Sequence, residues 1–267
     1  MRAGWIVLAL ALGPAAAGAQ QVRDSTPARS RGQAFARDFH LGFDVTLGTL
    51  TAPLHWSRSE WVALPAAGIA LVTLSGADGP VQEAFDRNHS TRVDRVLSQI
   101  EPFGARRAIA TVVGTYLVGL ALDAPGLRRT GVEAAASSIV AAGFATPGLK
   151  RIFGRARPWA GRGPFDFHSM SGNQSFPSGH ATQAFAAASV FAAEAHPTWA
   201  KALIYGVAGG VATARLYHDA HFLSDVAAGA TIGTVVGRSV VARSHGALHN
   251  GVAPYVGRDG VGLVLRF

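Results

Sequence analysis

The sequence predicts an all-α protein: a helical bundle of about six core helices, followed by a short β-like C-terminal tail. Hydrophobic residues make up 49% of the 267 residues and charged residues only 15%, which supplies enough apolar surface for a large core. Six apolar segments are rich in Ala, Val, Leu and Gly, lack strand-like alternation and are bounded by charges or proline, as helices are. They span approximately residues 61–77, 108–122, 134–149, 181–195, 202–214 and 226–237.

The N-terminus has the features of a secretory signal over residues 1–19. Arg2 supplies a positive start, residues 5–12 an apolar core, and residues 17–19 a cleavage site of small residues. The apolar run is short for a membrane span, and an uncleaved N-terminal anchor is the alternative. We therefore expect export to the periplasm or cell envelope, with a polar linker and a peripheral segment over residues 20–60.

Residues 61–245 are predicted to form the helical domain. The charged stretch 78–107 predicts one more polar helix. In the tail, residues 246–267, an Asp-Gly pair precedes a short alternating run to the C-terminus, which predicts a hairpin or an edge strand. The last strand of an outer-membrane barrel is the alternative for this tail.

The apolar segments bear on membrane topology as well as on fold. Their uncharged runs are shorter than the ~20 residues that a span requires. This favours a bundle that lies wholly outside the cytoplasm and contacts the membrane surface, while six spans remain the alternative.

Composition narrows the classes of partner. The net charge of +8 indicates anionic partners such as a phospholipid surface or a phosphorylated substrate. No run of basic residues is interleaved with aromatics, so we expect no nucleic-acid partner. The chain has no cysteine, which excludes disulfides and thiolate nucleophiles. The histidines at positions 40, 55, 89, 196, 245 and 249 lack the sequence spacing of a metal-ligand set. We therefore expect no metal and no other cofactor.

Three short polar clusters lie between residues 150 and 225. The first begins at Lys150 and includes Arg157 directly before Pro158. Together with Arg215 of the third cluster, these cations are suited to neutralise a phosphoryl group without a metal. A helix C-cap or a solvated basic face is the alternative for the first cluster.

The second cluster is Pro177-Ser178-Gly179-His180, directly before an apolar segment. Ser178 predicts a helix N-cap and Gly179 a close backbone approach, and the free N–H groups of a helix start bind anions. His180 then lies in the first turn, where it can donate a proton to a leaving oxygen. A capped helix with an incidental histidine is the alternative.

The third cluster pairs His221 with Asp225, four residues apart at the start of the last apolar segment. This spacing predicts that both lie on one helical face. Asp225 would accept a hydrogen bond from the ring N–H of His221, leaving the other ring nitrogen free to attack phosphorus. Arg215 is expected at the end of the preceding helix.

Other polar residues near the clusters receive weaker predictions. The turn between Arg215 and His221 is read as rim or structural, and two loop residues are candidate substrate contacts. The turn residues are Tyr217, His218 and Asp219, and the loop residues are Asp166 and His168.

Taken together, the clusters resemble the tripartite signature of the type 2 phosphatidic acid phosphatase superfamily, which includes acid phosphatases, lipid phosphate phosphatases and vanadium-dependent haloperoxidases. The signature reads Lys-x6-Arg-Pro, then Pro-Ser-Gly-His, then Ser-Arg-x5-His-x3-Asp. The chain departs from it once, with Ala214 in place of the serine. The resemblance covers roughly residues 105–240.

The resemblance implies a bundle with the active site at one end and a metal-independent acid phosphatase, or a lipid phosphate or pyrophosphate phosphatase. His221 would form a phosphohistidine assisted by Asp225, and His180 would protonate the leaving alcohol and then activate water. The alternatives are a haloperoxidase on the same pocket and a non-enzymatic phospholipid-binding envelope protein. The phosphate would be held by Lys150, Arg157, Ser178, Gly179 and Arg215.

Overall fold

The computed structural model describes residues 31–246 and the backbone of two strands at 251–257 and 260–266. The fold is all-α, as the sequence predicts, and the expected signal over residues 1–19 lies outside the described residues. The helices are α1 (Arg31–Leu50), α2 (Arg58–Ser75), α3 (Asp78–Arg87), α4 (Thr91–Ile100), α5 (Arg106–Ala121), α6 (Pro125–Ser138), α7 (Thr146–Phe153), α8 (Gly179–Glu194), α9 (Thr198–Tyr217) and α10 (Leu223–Ser244).

The six predicted apolar segments are all helical. The third corresponds to α6, α7 and a π-helical segment, Ile139–Ala145, that joins them. The polar stretch 78–107 was expected to form one helix, but it forms α3 and α4. The break occurs because Ser90 is extended and its hydroxyl accepts the Val93 N–H at 3.3 Å, which starts a new helix.

Residues 31–37 contradict the expected linker, because α1 begins at Arg31. Leu41 and Val45 are four residues apart, share one face, and pack against α6 and α10. Val45 is 2% exposed. The arginines and serines of this region suggest a solvated linker, but the apolar face further along the helix docks the whole segment.

A glycine stripe sets the separation of α8 and α10 at the centre of the bundle. Gly229, Gly233 and Gly237 repeat every four residues and so share one face of α10. A Cβ at each would lie within 3.0 Å of a backbone atom of the chain segment opposite: Ser178, Thr182 and Ala186. The two helices are therefore in backbone contact over about two turns.

The C-terminal tail is a two-stranded antiparallel hairpin, as predicted. Strand β1 (Gly251–Gly257) pairs with β2 (Gly260–Arg266), and Gly257 lies opposite Gly260. β1 runs beside α1.

Among the described residues, one continuous helix is long and apolar enough to cross a membrane, judged by length and composition. It runs over Pro125–Phe153, and 39% of its apolar window is buried inside the protein. α2 and α3, bent by 46°, reach the same criterion only when taken together. Core helices of soluble proteins also reach it.

Candidate active site

The three polar clusters meet at one end of the bundle. Lys150 lies in the last turn of α7 and Arg215 in the last turn of α9, whereas Ser178 caps the start of α8. Asp225 lies in the first turn of α10, and its carbonyl accepts the Ser178 N–H at 2.9 Å. Antiparallel neighbours thus bring two helix ends and two helix starts to one place.

The start of α8 has the predicted N-cap, with Gly179 and His180 in its first turn. The Ser178 hydroxyl accepts the Ala181 N–H at 3.5 Å. A Cβ at Gly179 would lie 4.0 Å from Lys150 Cε, so the lysine side chain passes beside the helix terminus. His180 is seated against Gly104, where any Cβ would collide with the His180 backbone and Cβ.

Burial and clustered positive charge alter the proton affinities of two of these groups. Burial, followed by the charge of Arg157, lowers the pKa of Lys150 to about 8. Burial and the charges of Arg157 and Lys150 also lower the pKa of His180 below its ordinary value. Without a bound anion, His180 is therefore neutral at pH 7. Lys150 Nζ donates a hydrogen bond to the Gln174 carbonyl.

His221 does not lie on a helical face with Asp225, as the spacing predicts, because α10 begins only at Leu223. The two remain close because the Asp225 carboxylate folds back to accept the Phe222 N–H at 2.9 Å. His221 Nδ1 lies 3.6 Å from Asp225 Oδ2, which is longer than a hydrogen bond. Among the described residues, Nδ1 has no hydrogen-bond partner. The predicted His–Asp hydrogen bond is thus not formed, although the groups face each other.

His221 is 3% exposed, and this burial lowers its pKa to about 4, against the opposing influence of Asp225. The ring is therefore neutral at physiological pH. Burial acts to raise the pKa of Asp225, but His221, Arg155 and Ser175 together bring it below its ordinary value. A neutral imidazole thus faces an ionised carboxylate.

Two residues without a role in the sequence analysis support Asp225: Arg155 directly, and Asp78 through Arg155 and Ser224. Arg155 is 1% exposed; its Nη1 donates to Asp225 Oδ1 at 2.6 Å and its Nη2 to Asp78 Oδ2 at 2.7 Å. Asp78 Oδ1 also accepts the Ser224 N–H at 2.8 Å. Asp78 lies on α3, far from the clusters in sequence, and no local pattern marks it.

Arg215 is paired in this structure with another carboxylate that the sequence did not indicate, Glu101. Arg215 Nη1 donates to Glu101 Oε1, and Glu101 Oε2 lies 2.7 Å from His218 Nδ1. Burial lowers the pKa of Arg215. The cation is thus present at the site but carries an internal counter-charge.

A family model described as the PAP2 superfamily matches residues 132–247, which contain all eight candidate residues. This match confirms the resemblance to that superfamily over these residues. No curated protein sequence matches the chain.

Two solved structures resemble the fold. Aquifex aeolicus LpxE is 20% identical, with a TM-score of 0.50 over 61% of this chain and 94% of LpxE. A transmembrane PAP2-type phosphatidylglycerolphosphate phosphatase from Bacillus subtilis is 16% identical, with a TM-score of 0.49 over 81% of this chain and 96% of its own.

Two cavities border the PAP2 clusters. The larger, about 690 Å³, is lined by Lys150 and Gly179 together with apolar residues that include Ile109 and Pro147. The smaller, about 240 Å³, lies beside Arg157. The cavities share the loop residues 172–174. Charge and apolar surface thus adjoin at the same opening.

The polar residues near the three clusters have mainly structural contacts. Tyr217 is buried and its hydroxyl hydrogen-bonds to the Ser90 backbone, which is a structural contact. Asp166 and His168 pair with each other at 3.0 Å and line neither of the two cavities. Ala214 packs with Leu97 and Tyr217 in an apolar cluster, so this departure from the signature lies in the core packing.

Proposed function

We propose that this protein is a metal-independent phosphatase of lipid phosphates or related phosphomonoesters that acts through a phosphohistidine. The observation that carries the proposal is the buried, neutral His221 at the place where three cations and a helix N-terminus converge. Binding alone requires the cations and the helix terminus. An ionised carboxylate facing a neutral imidazole is the further feature that nucleophilic attack requires.

Substrate binding begins with charge neutralisation. A phosphoryl dianion is held by the N–H groups at the start of α8 and by Lys150 and Arg157. Arg215 transfers its interaction from Glu101 to the phosphoryl oxygens. The bound anion also offsets the positive charge that lowers the pKa of His180, so this imidazole gains a proton on binding.

In the first chemical step, His221 Nε2 attacks phosphorus, forming a P–N bond while the P–O bond to the leaving group breaks. Protonated His180 gives its proton to the departing oxygen and becomes neutral. Positive charge develops on the His221 ring, and the Asp225 carboxylate stabilises it at Nδ1–H. The products of this step are the alcohol and a phosphohistidine.

In the second step, a water molecule attacks the phosphohistidine. Neutral His180 accepts a proton from this water as its oxygen bonds to phosphorus and the P–N bond breaks. His221 leaves neutral, inorganic phosphate is released, and His180 is again protonated. Asp225, held by Arg155, keeps its charge throughout.

Exposed apolar surface supports an amphiphilic substrate and contact with a membrane surface. Large aliphatic side chains on α2 and α5 face solvent; Val62 and Val72 are 70% and 73% exposed. Exposed apolar faces of this size mark interaction surfaces. With the expected signal over residues 1–19, we propose that the protein works in the cell envelope at a lipid surface.

The decisive experiment measures phosphate release from p-nitrophenyl phosphate and from phosphatidate in mixed micelles, with EDTA present. We expect activity in EDTA and inhibition by vanadate. His221→Ala should lose at least ~10³-fold in kcat, since it removes the nucleophile. His196→Ala, an exposed histidine in the α8–α9 turn, should retain it.

Two outcomes would contradict the proposal. Loss of activity in EDTA that is restored by added metal would indicate a metal-dependent reaction. Unchanged turnover in His221→Ala would exclude this histidine as the nucleophile. Acid-labile, alkali-stable phosphate trapped on wild type but not on His221→Ala identifies the intermediate directly.

A further inference from the structure

The end of the bundle opposite the active site holds a second cluster of charged groups. Glu133 projects from α6, Glu194 is the last residue of α8, and His245 follows α10 directly. Glu194 is separated from Gly179 by the length of α8, which is ~22 Å at 1.5 Å per residue. The cluster is therefore distinct from the PAP2 site.

Glu133 is the unusual member of this cluster. It is fully buried, at 0% exposure, and neither of its carboxylate oxygens forms a hydrogen bond of normal geometry with the described residues. Burial raises the pKa of Glu133, and the nearby Ser244 hydroxyl only opposes this rise. The side-chain nitrogens Arg129 Nε and His245 Nε2 each lie 3.6 Å from Oε1. A buried carboxylate without hydrogen bonds is costly unless an ion compensates it.

The spacing of the donor atoms matches a metal polyhedron. One donor from each of the three residues lies within 4.8 Å of the other two. His245 Nε2 is 3.1 Å from Glu194 Oε1, yet that oxygen forms no hydrogen bond in the described structure. Neighbouring ligands of a tetrahedral zinc ion lie ~3.3 Å apart, given bonds of about 2.0 Å. The separations of 3.1 and 3.6 Å bracket that value.

The other oxygen of Glu194 is already oriented. Arg129 Nη2 donates to Glu194 Oε2 at 3.3 Å, which leaves Oε1 directed towards His245 and Glu133. Outer-shell hydrogen bonds of this kind commonly fix a ligating carboxylate. Arg129 also balances part of the negative charge of the two glutamates.

We propose that Glu133, Glu194 and His245 form a binding site for a divalent transition-metal ion of the Zn²⁺ type. The mixed set of one imidazole and two carboxylates favours Zn²⁺ over Mg²⁺ or Ca²⁺, which prefer oxygen ligands alone. Three protein ligands leave the fourth position to water. The ion would tie the middle of α6 to the ends of α8 and α10, so its role is structural.

This inference reverses the sequence-based expectation of no metal. His245 has no ligand at a familiar spacing in sequence, because its partners come from two other helices. Asp86, His89 and Asp219 form a second group with donors equally close, but Asp86 and His89 are exposed, so this group serves only as a control.

The test uses the full-length chain, stripped with EDTA, dialysed and titrated with Zn²⁺ by calorimetry, with bound metal counted by mass spectrometry. We expect one ion per chain and a rise in Tm on addition of Zn²⁺. Glu133→Gln and His245→Gln should each weaken binding by ~100-fold or more, beyond the usual cost of losing an outer-shell partner. Glu83→Gln, an exposed glutamate on α3, and His89→Gln should bind as wild type does.

Equal zinc binding by wild type, Glu133→Gln and His245→Gln would overturn the proposal, as would the absence of any retained zinc. Phosphatase activity in EDTA reports on the proposed function separately, since the metal site lies at the other end of the bundle.

Discussion

The two ends of the bundle each bury a carboxylate beside a histidine, but they satisfy it differently. At the active-site end, Asp225 accepts hydrogen bonds from Arg155, Ser175 and the Phe222 N–H. At the other end, Glu133 accepts none from the described residues. A fully satisfied buried carboxylate fixes its neighbours in one geometry. An unsatisfied one leaves coordination capacity for an ion from outside.

The largest expected effect on stability comes from removing a hydrogen-bond donor of Asp225, so that this carboxylate becomes less satisfied, as Glu133 is. Arg155→Gln removes the cation that pairs with both Asp225 and Asp78. Breaking a buried ion pair leaves uncompensated charge, so the free energy of unfolding should fall by ~3–5 kcal/mol, measured by urea denaturation. Arg92→Gln, on the exposed face of α4, is the matched control and should change stability little. A loss below about 1 kcal/mol for Arg155→Gln would mean that Asp225 is held by its other donors alone.

An effect of intermediate size is expected on the pH dependence of stability, through the buried His221 at the active-site end. His221 has a pKa of about 4 in the folded protein, against an ordinary value of 6.5. Between these values the unfolded chain binds more protons, so stability is present above pH 6.5 and falls as the pH drops towards 4. The contribution of His221 reaches ~1.4 kcal/mol per pH unit at most.

His221→Gln should flatten this slope, measured as the urea midpoint at several pH values in the absence of phosphate. A residual slope is expected from His180, whose pKa is also lowered. An unchanged slope in the variant would show that folding does not lower the pKa of His221.

The smallest expected effect on stability comes from neutralising the unsatisfied carboxylate of Glu133. Glu133→Gln in metal-free protein removes a buried charge while keeping the side-chain shape, so the free energy of unfolding should rise by ~1 kcal/mol. With saturating Zn²⁺ the order should invert, because only wild type gains binding free energy. Thermal unfolding of both proteins with and without Zn²⁺ measures this, and destabilisation of the metal-free variant would mean that Arg129 already compensates Glu133.

The sequence predicted much of the fold and the chemical groups of the candidate site, but not the residues that support them. Lys150, Ser178, Gly179 and Arg215 were placed at helix ends because local patterns mark those ends. The roles of Asp78 and Glu101 were not predicted, because these residues act through contacts distant in sequence, where no spacing rule applies. The loop position of His221 escaped for a different reason, since a four-residue spacing suits both a helix and a helix start with a folded-back side chain.

The glycine stripe of α10 has a consequence for which parts of the bundle are able to move. Because Gly229, Gly233 and Gly237 bring α10 against the backbone opposite, α8 and α10 have no clearance in which to slide or part. The two helices form one rigid unit, with Ser178 and Asp225 at one end and Glu194 and His245 at the other. We therefore expect the candidate site and the opposite end of the bundle to keep a constant separation, and any adjustment around a bound anion to occur in the loop over residues 161–176.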